Sequence, residues 1–139
     1  MKNKFILKTV LILIFSTLLG CTKSGEIHSI KPGEKVQITG GDYFQYDFDK
    51  NPALGMVIVK INVFDSNGKN NNEYTITGIS GMPSMKGAHD SQEIEFKQNT
   101  KGDYLLPVNV VMPGKWEVKI KFLKNQDEIY SDTIRFNVG

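Results

Sequence analysis

Three side chains with soft donor atoms lie close together in the middle of the chain, at Met82, Met85 and His89. Thioether sulfur is a soft, uncharged ligand that favours Cu(I) over hard cations, and imidazole also suits copper. Three such ligands on one segment could hold a monovalent ion without adding negative charge. The spacing therefore predicts a Cu(I) site, with Asp90 orienting the histidine through a hydrogen bond and Met112 as an optional fourth ligand.

The same residues fit a second interpretation, in which they serve packing alone. Methionine commonly fills gaps in a core or at its rim, and a single histidine beside an aspartate is commonly a solvated loop residue. The position of the thioethers distinguishes the two interpretations. A metal site requires the sulfur atoms of Met82 and Met85 to face outward together with His89, whereas burial against the core favours packing.

The segment that carries these residues, 78–91, breaks the pattern of the chain around it. It is rich in glycine and too long for a hairpin turn, so the sequence predicts a loop between two strands. Gly81 and Gly87 would let the loop curl, and Pro83 would fix the backbone after Met82. Loops on a rigid scaffold are where small β-domains commonly carry their function.

Alternation of apolar and polar residues predicts the elements that hold this loop in place. The clearest strands cover residues 56–64 and 115–123, in which every second side chain is apolar. Shorter runs of the same kind are 36–38, 43–48, 74–76, 94–96, 104–110 and 134–138. Seven or eight short strands separated by turn sequences predict an all-β fold, an immunoglobulin-like antiparallel β-sandwich, with a closed barrel as the alternative.

The first 21 residues are predicted to direct export and lipid attachment rather than to form part of the folded domain. Three lysines precede an apolar run over residues 9–19. The sequence Leu-Leu-Gly-Cys, at residues 18–21, overlaps the end of this run. A basic front and a short apolar run are typical of a secretory signal peptide. The last four residues resemble the lipobox of bacterial lipoproteins. That resemblance implies cleavage after residue 20 and a lipid on Cys21, which would anchor the domain to the cell membrane or outer membrane, facing the periplasm or cell exterior.

Composition limits what the mature chain can do. Three of the 17 basic side chains lie in the signal segment, which leaves 14 against 15 acidic ones, scattered rather than clustered. Nucleic-acid binding therefore has no support. Cys21 is the single cysteine, so a lipid there leaves no thiol for a disulfide. We expect residues 21–35 to form a lipidated N-terminus and flexible spacer, and residues 36–139 to form one domain.

Catalysis is not expected. The sequence holds two histidines, His28 and His89, whereas a zinc hydrolase needs three protein ligands and an open position. A serine triad would have to draw on the same two histidines, and no nucleophile-elbow motif is present. Phosphate-binding glycine loops of the standard patterns are also absent from the sequence. These observations favour a binding protein over an enzyme.

Short motifs in the second half of the chain resemble the YtkA-like domain and, more distantly, FixH-like and CopC-like immunoglobulin modules of exported bacterial proteins. The motifs are Met82-Pro83-x-Met85 followed by His89, then Gly102-x-Tyr104, then Met112-Pro113-Gly114-x-Trp116. The resemblance covers residues 36–139. It implies a sandwich of the kind found among copper-handling and respiratory-assembly proteins, without enzymatic activity, and it matches Met82, Met85, His89 and Met112 to positions of sulfur and imidazole side chains.

Two functions follow as expectations. In the first, the module binds Cu(I) and buffers it or passes it to a membrane partner. The Cu(II) site of CopC-like proteins uses a free N-terminal amine, which an acylated Cys21 would not provide. In the second, the module binds no metal and docks a membrane or envelope protein, through outward apolar residues such as Ile58 and Phe64.

Overall fold

The computed structural model describes residues 29–88 and 90–139. The predictions on the signal segment, on Cys21 and on His89 lie outside these residues. The described strands are β1 (Val36–Gln37), β2 (Tyr43–Phe48), β3 (Gly55–Phe64), β4 (Thr75–Gly81), β5 (Ile94–Glu95), β6 (Lys97–Gln98), β7 (Tyr104–Val110), β8 (Gly114–Lys124) and β9 (Asp127–Val138), with one 3-10 turn at Pro83–Met85. Within these ranges no helix is long and apolar enough to cross a membrane.

The strands form two antiparallel sheets that pack face to face. The first sheet has the order β1-β2-β3-β7-β6, and the second has the order β5-β4-β8-β9. Aromatic side chains of β2 cross the interface, since the rings of Phe44 and Phe122 lie 4.8 Å apart and those of Phe48 and Phe136 lie 5.1 Å apart. The predicted immunoglobulin-like β-sandwich is confirmed, and the two separate sheets replace the alternative of a closed barrel.

The alternation read from the sequence gives the core directly. On β3, the side chains of Val57, Val59 and Ile61 are fully buried, while the residues between them face outward. Trp116 is buried at the start of β8, and its indole N–H donates to the carbonyl oxygen of Met112 at 3.0 Å. Burial of one face of each sheet accounts for a domain that needs no disulfide to close its core.

The segment predicted as one strand at 94–96 divides between the sheets. β5 pairs with β4 in the second sheet, and β6 pairs with β7 in the first. The crossing occurs at Phe96, whose side chain is buried and whose backbone N–H donates to the carbonyl oxygen of Ile76 at 2.8 Å. Period-two patterning does not record which sheet a residue joins, so the sequence could not show this switch.

The predicted loop begins later than residue 78, because β4 continues through Gly81. A Cβ atom at Gly78 would lie 2.8 Å from Leu106 Cδ2 and 3.0 Å from Phe96 Cε2. Gly78 therefore marks a close approach between the two sheets and not a turn. The loop proper starts at Met82.

The ordered domain also begins before the predicted boundary at Val36. Ile30 is 1% exposed and belongs to the core. The hydroxyl of Tyr46 donates to the carbonyl oxygen of Ile30 at 3.1 Å, and the N–H of Gly33 donates to the carbonyl oxygen of Tyr46 at 2.9 Å. Residues 29–35, assigned to the spacer from sequence, thus pack along β2.

Candidate functional site

One end of the sandwich collects the methionines. At this end β4, β7 and β9 finish while β3 and β8 begin, as the pairs Gly55–Val110, Gly81–Glu117 and Gly114–Val138 show. We call it the methionine end, because every methionine of the described ranges lies in or beside it: Met56, Met82, Met85 and Met112. The topology therefore brings together three segments that are far apart in the chain.

Met82 is a core residue. It follows β4 directly and is 6% exposed. Its Cε atom lies 3.0 Å from the position that a Cβ atom would take at Gly114, the first residue of β8. Met112, in the turn between β7 and β8, is partly buried against the same core. The structure thus places Met82 beside the turn that carries Met112, with the Met82 thioether directed inward.

Met85 has a different environment. It ends the 3-10 turn, its N–H donates to the carbonyl oxygen of Met82 at 3.0 Å, and its side chain is 37% exposed. The criterion set from the sequence for a metal site is that the thioethers of Met82 and Met85 both face outward. Only the Met85 side chain is exposed, so the criterion is not met in full. The assignment of ligands remains a prediction, because His89 lies outside the described residues.

Asp90 serves the loop itself in this structure. Its carboxylate occupies the space that a side chain at Gly81 would fill, and its Oδ2 accepts a hydrogen bond from the N–H of Gly87 at 3.3 Å. The base of the loop is closed by Ser80 and Ser91. The N–H of Ser80 donates to Ser91 Oγ at 2.9 Å, and the N–H of Ser91 donates to the Ser80 carbonyl oxygen at 2.7 Å. The predicted contact with the neighbouring histidine stays a prediction.

Charged side chains under this loop are paired. Glu117 lies opposite Gly81 in the sheet register and is almost buried. Its carboxylate is 3.7 Å from Arg135 Nε and 3.6 Å from Lys119 Nζ. In residues 29–88 and 90–139, no three His, Cys, Asp or Glu side chains come close enough to hold a metal ion together.

An apolar rim at the methionine end was not singled out from the sequence. Leu54, Met56 and Val111 are 58%, 51% and 57% exposed, and we call these three residues the apolar rim. β3 places Met56 on the outer face of the first sheet, and Val111 follows β7 directly. A signal was present, because the pair Val110-Val111 breaks the alternation of β7 and one of the two must face solvent.

The outward apolar residues that the sequence did single out are less exposed. Ile58 and Phe64 both lie on the outer face of the first sheet, but each is half-buried. The ring of Phe64 stacks on Tyr43 with centroids 5.1 Å apart. The most accessible apolar surface therefore lies at the methionine end, in the rim, and not at Phe64.

Comparison with known proteins supports the fold. No protein-family model and no curated protein sequence matches the chain. Among solved structures, the domain is similar to the crystal structure of the PmoD soluble domain from Methylocystis sp. ATCC 49242 (Rockwell), with a TM-score of 0.50 and 13% identity. The match covers 72% of this chain and 94% of that one. At this identity the likeness shows a shared β-fold and nothing about family or ligand.

Proposed function

We propose that this protein is a lipid-anchored, non-enzymatic binding module of the cell envelope, and that its methionine end is the surface that binds. The signal-like segment and the lipobox resemblance at Cys21 support the anchor. The resemblance of residues 36–139 to YtkA-like domains supports a module without catalysis. In this function the sandwich supplies a rigid support and its end carries the contact.

The observation that carries the proposal is the apolar rim. Leu54, Met56 and Val111 are each more than half exposed, and the strand register places them at one end. Grouped exposed apolar side chains on a small domain are typical of a contact surface. Met82 is buried, which is the outcome that favours packing over coordination. Docking to a component of the envelope is therefore the first candidate, and it requires no metal.

Cu(I) binding at the same end is the second candidate. The exposed side chain of Met85 favours it, since this residue lies four positions before His89 in the sequence. Met112 lies in the neighbouring turn as a possible further donor. Met82 would have to leave the core to coordinate, which would open a gap against Gly114. A Cu(I) site would therefore depend first on Met85 and His89.

A competitive Cu(I) titration separates the two candidates. The lipid-free domain, residues 22–139, is titrated under reducing conditions against a chromophoric chelator. The Met85→Ala/His89→Ala variant is measured beside it, and Met56→Ala is the matched control because Met56 is exposed at the same end but outside the predicted ligand set. Tight one-to-one binding that the double variant loses and the control keeps establishes the copper function. Affinity weaker than micromolar, or unchanged in the double variant, leaves docking alone.

The anchor has its own test. Cys21→Ser should move the protein from the membrane fraction to the soluble exported fraction, because the substituted side chain cannot receive a thioether-linked lipid. Intact mass of the wild-type protein measures the same property directly. A wild-type chain whose Cys21 reacts with maleimide and carries no lipid contradicts the anchor.

A further inference from the structure

The chain enters the sandwich beside the methionine end. Pro32 borders the same surface depression as Phe136 and Asn137, near the end of β9, and as Pro52, which precedes β3. From there the chain runs away from this end to β1, where Val36 pairs with Phe44. Ile30 is fixed in the core just before this point. Any tether on Cys21 therefore joins the domain on the side of the methionine end.

The length of that tether limits which end can face the membrane. Cys21 precedes Ser29 by eight residues, and an extended chain of that length spans at most about 29 Å. β9 has 12 residues, so it is about 40 Å long. The hairpin at Asn125 and Gln126 lies at the far end of β9. A tether of this length keeps the methionine end within reach of the bilayer, while the far hairpin lies about 40 Å away along β9.

The apolar rim distinguishes the two ends of the sandwich. Exposed lysines lie at the same end as the rim, with Lys50 in the loop before β3, Lys86 after the 3-10 turn and Lys115 at the start of β8. The far end carries exposed Lys69 and Lys101 as well as exposed Asp127 and Glu128, but among the described residues it has no exposed large apolar side chain. Apolar side chains flanked by lysines are typical of surfaces that enter the headgroup region of anionic membranes.

Two exposed carboxylates, Asp49 and Asp90, lie at the methionine end beside the three lysines. Asp49 Oδ1 accepts a hydrogen bond from the N–H of Ile58 at 3.1 Å. The carboxylate of Asp90 lies over Gly81 and accepts from Gly87, as described above. Backbone N–H groups fix both carboxylates in place without removing their charge, and the three lysines against these two carboxylates leave a net charge of +1.

We propose that the methionine end rests on the lipid bilayer to which the protein is tethered. Leu54, Met56 and Val111 enter the headgroup region, and the lysines around them face anionic headgroups. The inference deepens the proposed function and rests on its lipid anchor at Cys21. It identifies the docking partner of the apolar rim as a lipid surface, reached without a separate protein receptor.

Depth-dependent quenching of a fluorophore tests the contact on the full-length, lipidated protein. Lipidation blocks Cys21, so an added cysteine is the single reactive thiol. Val111→Cys places an environment-sensitive label on the rim, and Asn125→Cys places the same label on the far hairpin as the matched control. Both proteins are reconstituted in phosphatidylethanolamine–phosphatidylglycerol vesicles containing lipids with brominated chains.

We expect the label at position 111 to shift to the blue and to lose roughly half or more of its emission, as for a group buried several ångströms below the headgroups. The label at position 125 should keep its emission. Replacing phosphatidylglycerol by phosphatidylcholine should weaken quenching at position 111. Equal quenching at the two positions, or none at position 111, overturns the proposal. Shielding at position 111 in native membranes but not in protein-free vesicles also overturns it, because a protein would then cover the rim.

Failure of the anchor gives a different result from failure of the contact. If intact mass shows that wild-type Cys21 carries no lipid, the anchor and the inference built on it both fall. If the protein is lipidated and remains with the membranes while position 111 is unquenched, the anchor stands and the bilayer contact is refuted. The mass measurement therefore comes first.

Discussion

The outer faces of the two sheets have the same strand geometry but different chemistry. On the second sheet, Lys121 Nζ lies 3.4 Å from a carboxylate oxygen of Glu93 and 4.0 Å from one of Glu128. The hydroxyl of Thr77 donates to Glu93 at 2.7 Å, and this bond, with Lys121, holds the pKa of that carboxyl below its usual range. This outer face is a solvated surface of paired charges.

On the first sheet, the outer face ends in apolar side chains. Ile58 pairs with Pro107, and Met56 and Val111 follow towards the methionine end. Burial of the inner faces stabilises both sheets in the same way, so the difference cannot be a requirement of folding. The exposed apolar side chains therefore belong to the first sheet and its methionine end, where the proposed contact lies, while the second sheet presents paired charges.

The largest expected effect separates inner faces from outer ones. Phe122 is fully buried and contacts the rings of Phe44, Tyr74 and Tyr130. Phe122→Ala should lower the free energy of unfolding by about 3–5 kcal/mol. Phe64→Ala, on the outer face of the first sheet, should cost about 1 kcal/mol or less in urea unfolding, because Phe64 is half-buried. Similar losses for the two variants would contradict the assignment of faces.

The second largest effect is expected at alkaline pH, where the free energy of unfolding should fall because a buried tyrosine of the inner face ionises more readily in the unfolded chain. Burial, with a smaller contribution from the nearby Asp47, raises the pKa of Tyr46 to about 12. Below pH 10 the phenol is neutral in both states. Above it the unfolded chain ionises first, so stability falls as pH rises from about 10 to about 12.

Urea midpoints at several pH values measure this loss. Tyr46→Phe should reduce the slope above pH 10 without removing it, because burial and a hydrogen bond to Asp132 also raise the pKa of Tyr130. An identical slope for the wild-type protein and Tyr46→Phe would mean that Tyr46 does not titrate in this range.

A smaller effect is expected at Met82, where it distinguishes packing from coordination. Met82→Leu keeps the apolar volume at the rim of the core, so the free energy of unfolding should change by less than about 1.5 kcal/mol. If Met82 serves packing alone, Cu(I) binding measured by chelator competition is the same for Met82→Leu and the wild-type protein. Loss of Cu(I) affinity in a stably folded Met82→Leu would instead assign its sulfur to a metal site.

The smallest effect belongs to the paired outer face. Lys121→Met removes the shared cation between Glu93 and Glu128 and should cost about 1 kcal/mol or less, since all three side chains are partly exposed. The cost should vanish in high salt. Val111→Lys, at the rim, should leave stability in solution nearly unchanged. A salt-insensitive loss at Lys121 would mean that its alkyl stem, and not its charge, carries the effect.

Period-two alternation was sufficient for the strands that bury one face. It gave β3 and β8 to within a residue or two, because each repeats an apolar residue at every second position over most of its length. The alternation did not predict the extent of a strand where contacts between the two sheets decide it. Gly78 has loop composition but lies in a strand, since Leu106 and Phe96 fill the space above it.

The candidate site shows the same limit. If β4 is extended through its glycines, the alternation Ile76, Gly78, Ser80, Met82 directs the methionine inward, which is where it lies. The loop interpretation hid this pattern and made Met82 and Met85 equivalent. The end that collects the four methionines of residues 29–88 and 90–139 depends on how distant strands are ordered in two sheets, and spacing along the chain does not contain that order.

The burial of Ile30 has a mechanical consequence for a domain held by its N-terminus. Any force between membrane and domain would pass through Ile30 and the hydrogen bond from Tyr46 before it reached a sheet. β1, the next element, has two residue pairs with β2, whereas β8 and β9 are paired over nearly their full length. We expect the segment from Ile30 to β1 to detach first under force. Its detachment would lengthen the tether while the two sheets stay folded.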